Sequence, residues 1–437
     1  MTKKRELVSL VSLLLLGFGL LAGCKTTGAP RQTTKTPGTT ETTKADVTTE
    51  TTEAAGASET KEAGGDMKAV EGVLVSAAGV FVSTFAGSKP DWEGFDDGPG
   101  AWEGGFADGP GDKAEFAAPA GLALDAEGNL YVADVHNHRI RKITPQGVVR
   151  SLAGSSRSGY VDGLGDMARF DRPSGIALDK EGNLYVTDEY NHRIRKIAPW
   201  GGVRTLAGDG KTGEEAGGFA DGPIGGARFD KPFGIAIDKT GNLYVGDVHN
   251  HRIRKITPQG VVSTLAGSGE SGYADGPESA AQFYFISGIA VDKAGNLYVA
   301  DNWNHRIRKI TPQGVVSTLA GSGETGKDGC GYADGPKEKA RFCFPSGIAV
   351  DKAGNLYVAD FGNNRIRTIT PQGEVGTLAG SGGAGVDEDG FVGGGHADGP
   401  GNYAEFDGPS GLAFDAEGNL YVTDRKNHRI RKIEMRD

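Results

Sequence analysis

Apolar residues occur along this chain in two textures. One is a single long stretch over residues 7–22, with only Ser9 and Ser12 polar; the other, from residue 80 onward, is a succession of short runs cut by Gly, Pro, Asn and Asp. In the second texture the same four runs keep returning. In their first copy they are residues 121–125 (Gly-Leu-Ala-Leu-Asp), 129–134 (Asn-Leu-Tyr-Val-Ala-Asp), 139–143 (Arg-Ile-Arg-Lys-Ile) and 148–154 (Val-Val-Arg-Ser-Leu-Ala-Gly). Runs this short, rich in Val, Ile and Tyr, predict β-strands rather than helices. A Gly-Asn pair separates the first two runs, and Thr-Pro-Gln-Gly, with Pro second and Gly fourth as a type I turn prefers, separates the last two. Each set therefore predicts a four-stranded antiparallel meander.

The period is read from Asn-x-Arg-Ile-Arg, which begins at Asn137, Asn191, Asn250, Asn304, Asn363 and Asn427, with gaps of 54, 59, 54, 59 and 64 residues. Such a period marks a repeat architecture, in which each unit buries its faces against its neighbours. Within a unit the first run is apolar or small on both faces, whereas the third has three cationic residues in five. That gradient places the first strand innermost and the later ones towards solvent, the pattern of a β-propeller blade. Ile140 and Ile143 fall on opposite parities, which a bulge or a buried Lys142 stem would reconcile. The sixth unit stops after Ile433 without a fourth run, while residues 80–87 (Val-Phe-Val-Ser-Thr-Phe-Ala-Gly) stand alone ahead of the first unit. The isolated segment is expected to pair with the terminal run, complete the last blade and leave no open edge. The expected fold is all-β, a six-bladed propeller of four-stranded blades within residues 67–437.

The segment that carries the period reads Asn-His-Arg at residues 137–139, 191–193, 250–252, 304–306 and 427–429, and Asn-Asn-Arg at 363–365. It resembles the NHL repeat, named for Asn-His-Leu, over roughly residues 79–433. The resemblance implies a six-bladed propeller. It does not fix an activity, because the fold hosts protein-binding and RNA-binding domains as well as peptide-amidating lyases and lactonases.

The first texture gives an address. Lys3, Lys4 and Arg5 precede the apolar run, which is too short for a comfortable transmembrane helix and reads as an export signal over residues 1–23. It ends in Leu21-Ala22-Gly23-Cys24, which resembles a bacterial lipobox and makes Cys24 the expected lipid attachment site, with the outer membrane as destination in a Gram-negative cell. More than one acyl chain there would anchor the protein stably. Residues 24–66 follow as a Thr-rich tether, with 14 Thr and no aromatic residue between 25 and 66. As a random coil this segment would span about 35 to 40 Å. A formal net charge of -10 argues against a nucleic-acid partner, which a basic face would serve.

In a meander of this kind, the loop between the second and third strands and the long link between blades share one face. On that face the two residues ahead of each motif differ from blade to blade: Val135-His136, Glu189-Tyr190, Val248-His249, Asn302-Trp303, Phe361-Gly362 and Arg425-Lys426. Recurring positions serve the repeated scaffold, whereas an asymmetric ligand needs positions that differ. His136, Tyr190, His249, Trp303, Phe361, Arg425 and Lys426 are therefore candidate ligand-binding residues. Trp92 and Trp102 join them from a tandem duplication in the first link, Trp being favoured at binding hot spots. The links recur as an aromatic residue, a variable one and Asp-Gly, followed by Ala-x-Phe, and are expected to be structural.

The motif histidines are expected to serve a turn, since Asn364 stands in for one of them, and no catalytic or metal-binding residue is assigned. The expected function is recognition of a protein, peptide or glycan by an envelope-anchored module, without a cofactor. The alternative is a lyase-like or lactonase-like enzyme with Ca or Zn at the channel mouth, where carboxylates and His136, His249 or His396 would have to converge. Cys330 and Cys343 flank one link; outside the cytoplasm a bridge between them is possible and would contribute about 3 kcal/mol in the chain-entropy picture.

Overall fold

The computed structural model describes residues 79–88, 104–209, 216–326, 329–382 and 393–435. Cys24, Trp92, Trp102, the tether and the acidic stretch at residues 387–390 lie outside them. The described residues form six antiparallel sheets, one per repeat. The innermost strands are Pro119–Leu124, Pro173–Leu178, Pro232–Ile237, Ile286–Val291, Pro345–Val350 and Pro409–Phe414. Each packs on the innermost strand of the next blade, and the sixth packs on the first, so the ring is closed. These strands start two residues earlier than the pattern suggested, mostly at a Pro, which is tolerated where a strand begins.

Close approach explains the glycine that opens each inner apolar run. A side-chain carbon at Gly347 would lie 2.0 Å from the Ser410 carbonyl oxygen of the next blade, and one at Gly411 would lie 2.3 Å from that of Ala120. Blades meet there backbone to backbone, including across the seam where last meets first. The apolar core then fills the wedge between neighbouring blades. In one wedge Ala133, Ile140 and Ala153 of the first blade enclose Phe170, Val186 and Ile197 of the second. Phe116, Phe170, Phe229, Phe283, Phe342 and Phe406, the aromatic anchors of the links, are all at most 1% exposed.

The early segment Val80–Ala86 pairs antiparallel with the final strand Arg429–Met435, with Val82 opposite Ile433 and Thr84 opposite Arg431. Val80 and Val82 enter the wedge between blades five and six, and Ala86 the wedge between six and one. Full burial of one such aliphatic side chain is worth about 1.5 to 3 kcal/mol, so this seam is held by the same force as the rest of the ring.

Two features differ from the sequence-based expectation. Five blades carry a fifth, outermost strand of two residues, as where Gly109 and Pro110 pair with Val149 and Val148; blade four has a single bridge, Gly276 to Val316. The Asp-Gly-Pro links thus partly cover the outer edge. The second difference concerns the cationic third strand, which is not simply solvated. A register shift between Ile140 and Arg141 supplies the bulge that reconciles the two isoleucines, and it leaves Arg141 fully buried.

Candidate functional site

The recurring residues are consumed by the scaffold. Arg141 donates to Asp134 Oδ2 at 2.5 Å, to Asp108 Oδ1 at 2.7 Å and to the carbonyls of Glu115 and Ala107 at 2.9 and 2.7 Å. The Asp of the link, the Asp that ends the second strand and the second Arg of the motif are thereby tied together. The arrangement recurs at Arg195, Arg254, Arg308, Arg367 and Arg431. A buried ion pair is tolerated when its remaining hydrogen-bonding groups are satisfied, as most are here. Asn137 donates to Asp134 Oδ2 and to the Gly105 carbonyl, and Arg139 stacks on Phe106 with 3.9 Å to the ring centroid.

The motif histidine reaches into the next blade. It sits in the left-handed conformation, and its Nδ1 accepts from a backbone N–H: Arg172 to His138, Lys231 to His192, Phe344 to His305, and Ala118 to His428 across the seam. Asn364 does the same with Oδ1, accepting from Gly408 at 2.8 Å. An amide can replace the imidazole because only an acceptor is required. Burial pushes His138, His305 and His428 down to about 4, which keeps that lone pair available at neutral pH.

Five of the six residues just ahead of the inner strands donate these bonds, Phe285 being the exception, and the six form a second variable ring. Ala118, Arg172, Lys231, Phe285, Phe344 and Gly408 immediately precede the inner strands, all at φ between 48 and 63°. The sequence reading overlooked them. Their signal was the same as for the first ring, difference between blades at a fixed position, three residues ahead of where the apolar run was taken to start.

Together the two rings line the channel mouth. In five of the six blades the pair ahead of the motif folds into a short 3₁₀ turn after the buried Asp, and in the sixth Arg425 and Lys426 lie in an ordinary turn. His136, Tyr190, His249 and Phe361 are half-buried at the rim and Lys426 is exposed. Trp303 and Arg425, expected as projecting loop residues, are only 8% and 7% exposed and form part of the wall. On one side Trp303 meets Phe344 edge-on at 5.0 Å and lies 5.6 Å from Tyr284. The Trp303 Nε1 donor and the Asn302 Oδ1 acceptor on this side have no hydrogen-bond partner among the described residues. The Cys330–Cys343 disulfide closes this corner, and the chain it borders bonds to Trp303 through Gly326 N–H at 2.8 Å.

The other side is charged. Glu189, 2% exposed, accepts from Ser174 Oγ at 2.6 Å. Arg172 donates to Tyr190 Oη at 2.9 Å, and Tyr190 lies between the Arg172 guanidinium, 4.5 Å from its ring, and the Lys231 ammonium, 4.6 Å from it. Asp230 faces the Nδ1 atoms of His192 and His249 at 3.3 and 3.6 Å. Burial, with Arg425 and Arg172 nearby, pushes His136 down to about 3, so it is neutral. Beneath the mouth lies an axial cavity of about 70 Å³, lined by Ser174, Phe233, Ser287, Ser346 and Ser410 and by the Leu and Ile ring below them. No three His, Cys, Asp or Glu side chains converge in the manner of a metal site among the described residues.

The family model of the NHL repeat matches residues 116–143, 170–197, 229–256, 283–310, 342–369 and 406–433. NHL repeat-containing protein 2 of Gallus gallus is 30% identical over 347 residues, 72% of this chain and 46% of that protein. Protein SUPPRESSOR OF QUENCHING 1, chloroplastic, of Arabidopsis thaliana is 30% identical over 285 residues, 61% of this chain and 26% of that protein. The matched region thus spans less than half the length of either relative. Among solved structures, an auxiliary nutrient binding protein from Bacteroides thetaiotaomicron superposes with a TM-score of 0.58 at 20% identity, covering 82% of this chain and 77% of its own. At that identity the likeness is one of fold.

Proposed function

The chain belongs to the NHL-repeat family, and from that premise we propose that it is an envelope-anchored binding module whose channel mouth receives a small ligand or the end of a peptide or glycan. One observation carries the reading: the recurring motif residues serve the scaffold, while the positions that differ between blades gather around one mouth above an axial cavity. Trp303 and Arg425 are recessed, which suits a ligand that enters better than a flat protein surface. A protein of the same fold bears the name of a nutrient binder, which accords with this reading. The signal-like residues 1–23 and the lipobox-like Leu21-Ala22-Gly23-Cys24 support export and lipidation at Cys24, which would hold the module outside the cytoplasm.

Peptide and glycan arrays probed with the wild-type chain and with Tyr190→Ala and His249→Ala test it. Binding should be lost or weakened at least tenfold in both variants with folding unchanged; binding indifferent to both would remove the mouth as the site. Labelling with a fatty-acid analogue should mark the wild type and not Cys24→Ser.

A further inference from the structure

We propose that the mouth holds the compact oxyanion of an acidic small ligand, a sugar acid's carboxylate or a phosphate, between Arg172, Lys231 and Arg425. This rests on the mouth being the binding site and adds the chemical class of what enters it. Arg172 and Lys231 lie 4.5 and 4.6 Å from the ring of Tyr190, the residue next to Glu189. Arg172, Lys231 and Arg425 all act electrostatically on Glu189, which sits over the axial cavity through its bond to Ser174. Lys231 and Arg425 are 4% and 7% exposed, so bulk water screens them poorly.

Arg425 is the informative residue. Its attracting charge is Glu189 of a blade two places away, its neighbour Arg172 repels it, and no described carboxylate lies in direct ion-pair contact with it. Burial pushes its guanidinium down to about 10. A buried cation held without a contacting anion is costly to the fold, whereas a ligand anion removes that cost on binding. The nearby carboxylate of Asp230 is turned to His192 and His249. Guanidinium forks and an ammonium are the groups that recognise carboxylate and phosphate by charge-assisted hydrogen bonds. Glu189 uses Oε2 towards Ser174 and retains acceptor capacity for a hydroxyl beside the anion, which would distinguish a sugar acid from free phosphate.

The test is calorimetry and thermal melting of the full chain with sodium D-glucuronate, inorganic phosphate, D-glucose and sodium chloride at matched ionic strength. The expected result is saturable binding of glucuronate or phosphate, with a raised melting temperature that chloride does not reproduce. Arg425→Met should weaken that binding at least tenfold while melting no lower than the wild type without ligand. Glu189→Gln should tighten phosphate and, if glucuronate is the better ligand, weaken glucuronate. Absence of saturable anion binding to the wild type overturns the inference, as does binding that Arg425→Met leaves intact. D-glucose bound as well as glucuronate, with loss in Tyr190→Ala, would overturn the anion and leave the mouth as the site.

Discussion

Two arginines of the sixth blade lie six residues apart, and both are buried. Arg431 donates to Asp424 and Asp398 at 2.7 and 2.6 Å and to two backbone carbonyls, and its guanidinium lies 5.1 Å from the Phe406 ring centroid. Arg425 is held by the longer-range pull of Glu189 against the push of Arg172. The first arrangement repeats in every blade and the second occurs once. Burial of a charge therefore has two meanings in this molecule. Where all its partners are internal it belongs to the fold, and where the compensation is incomplete it marks the place that a ligand completes.

The comparison can be strained at several points. The largest effect is expected from removing residues 79–87. That deletion takes away Val80, Val82 and Ala86 and the pairing with Arg429–Met435, and should cost more than about 5 kcal/mol, seen as loss of the cooperative unfolding transition. If the truncated chain melted like the wild type, the ring would not depend on its seam. Next, Cys330→Ser with Cys343→Ser should cost about 2 to 3 kcal/mol in urea unfolding and should blunt binding at the aromatic side of the mouth more than at Arg425.

At neutral pH the smallest effect is expected from His428, whose contribution shows itself only on acidification. His428 titrates in the fold near 4, below its ordinary 6.5, because burial and the neighbouring arginines disfavour its charge. Its stabilisation is complete above pH 6.5 and is lost as pH falls towards 4. His428→Asn copies the acceptor found at Asn364 but carries no titrating group. The stability of the variant relative to the wild type should therefore improve on acidification by up to about 1.4 kcal/mol per pH unit. A constant difference between the two from pH 7 to pH 4.5 would mean that His428 does not act as a neutral acceptor.

Much of this architecture was legible in the residues themselves. Asn-x-Arg-Ile-Arg counted the blades, and the orphan run at Val80 with the missing strand after Ile433 indicated the closure. The role of Arg141 was not legible, because an arginine in an outer strand ordinarily reaches solvent. Its partners sit 7 and 33 residues away, and only the fold brings Asp134 and Asp108 to the same guanidinium. At the mouth, the first variable ring was found from sequence. The second, with Arg172 and Lys231, was missed because left-handed backbone at a residue ahead of Pro gives no apolar signal. Glu189 was noticed only as part of a differing pair; its burial against Ser174 needed three dimensions.

The most direct measurement is urea unfolding of Arg431→Met and Arg425→Met side by side, without added anion. Arg431→Met strands two carboxylates, one of them fully buried, and should lose about 3 to 5 kcal/mol. Arg425→Met should stay within about 1 kcal/mol of the wild type or exceed it, because the cost of burying its charge outweighs the pull of Glu189. Comparable losses in the two variants would contradict the account and make Arg425 one more structural arginine.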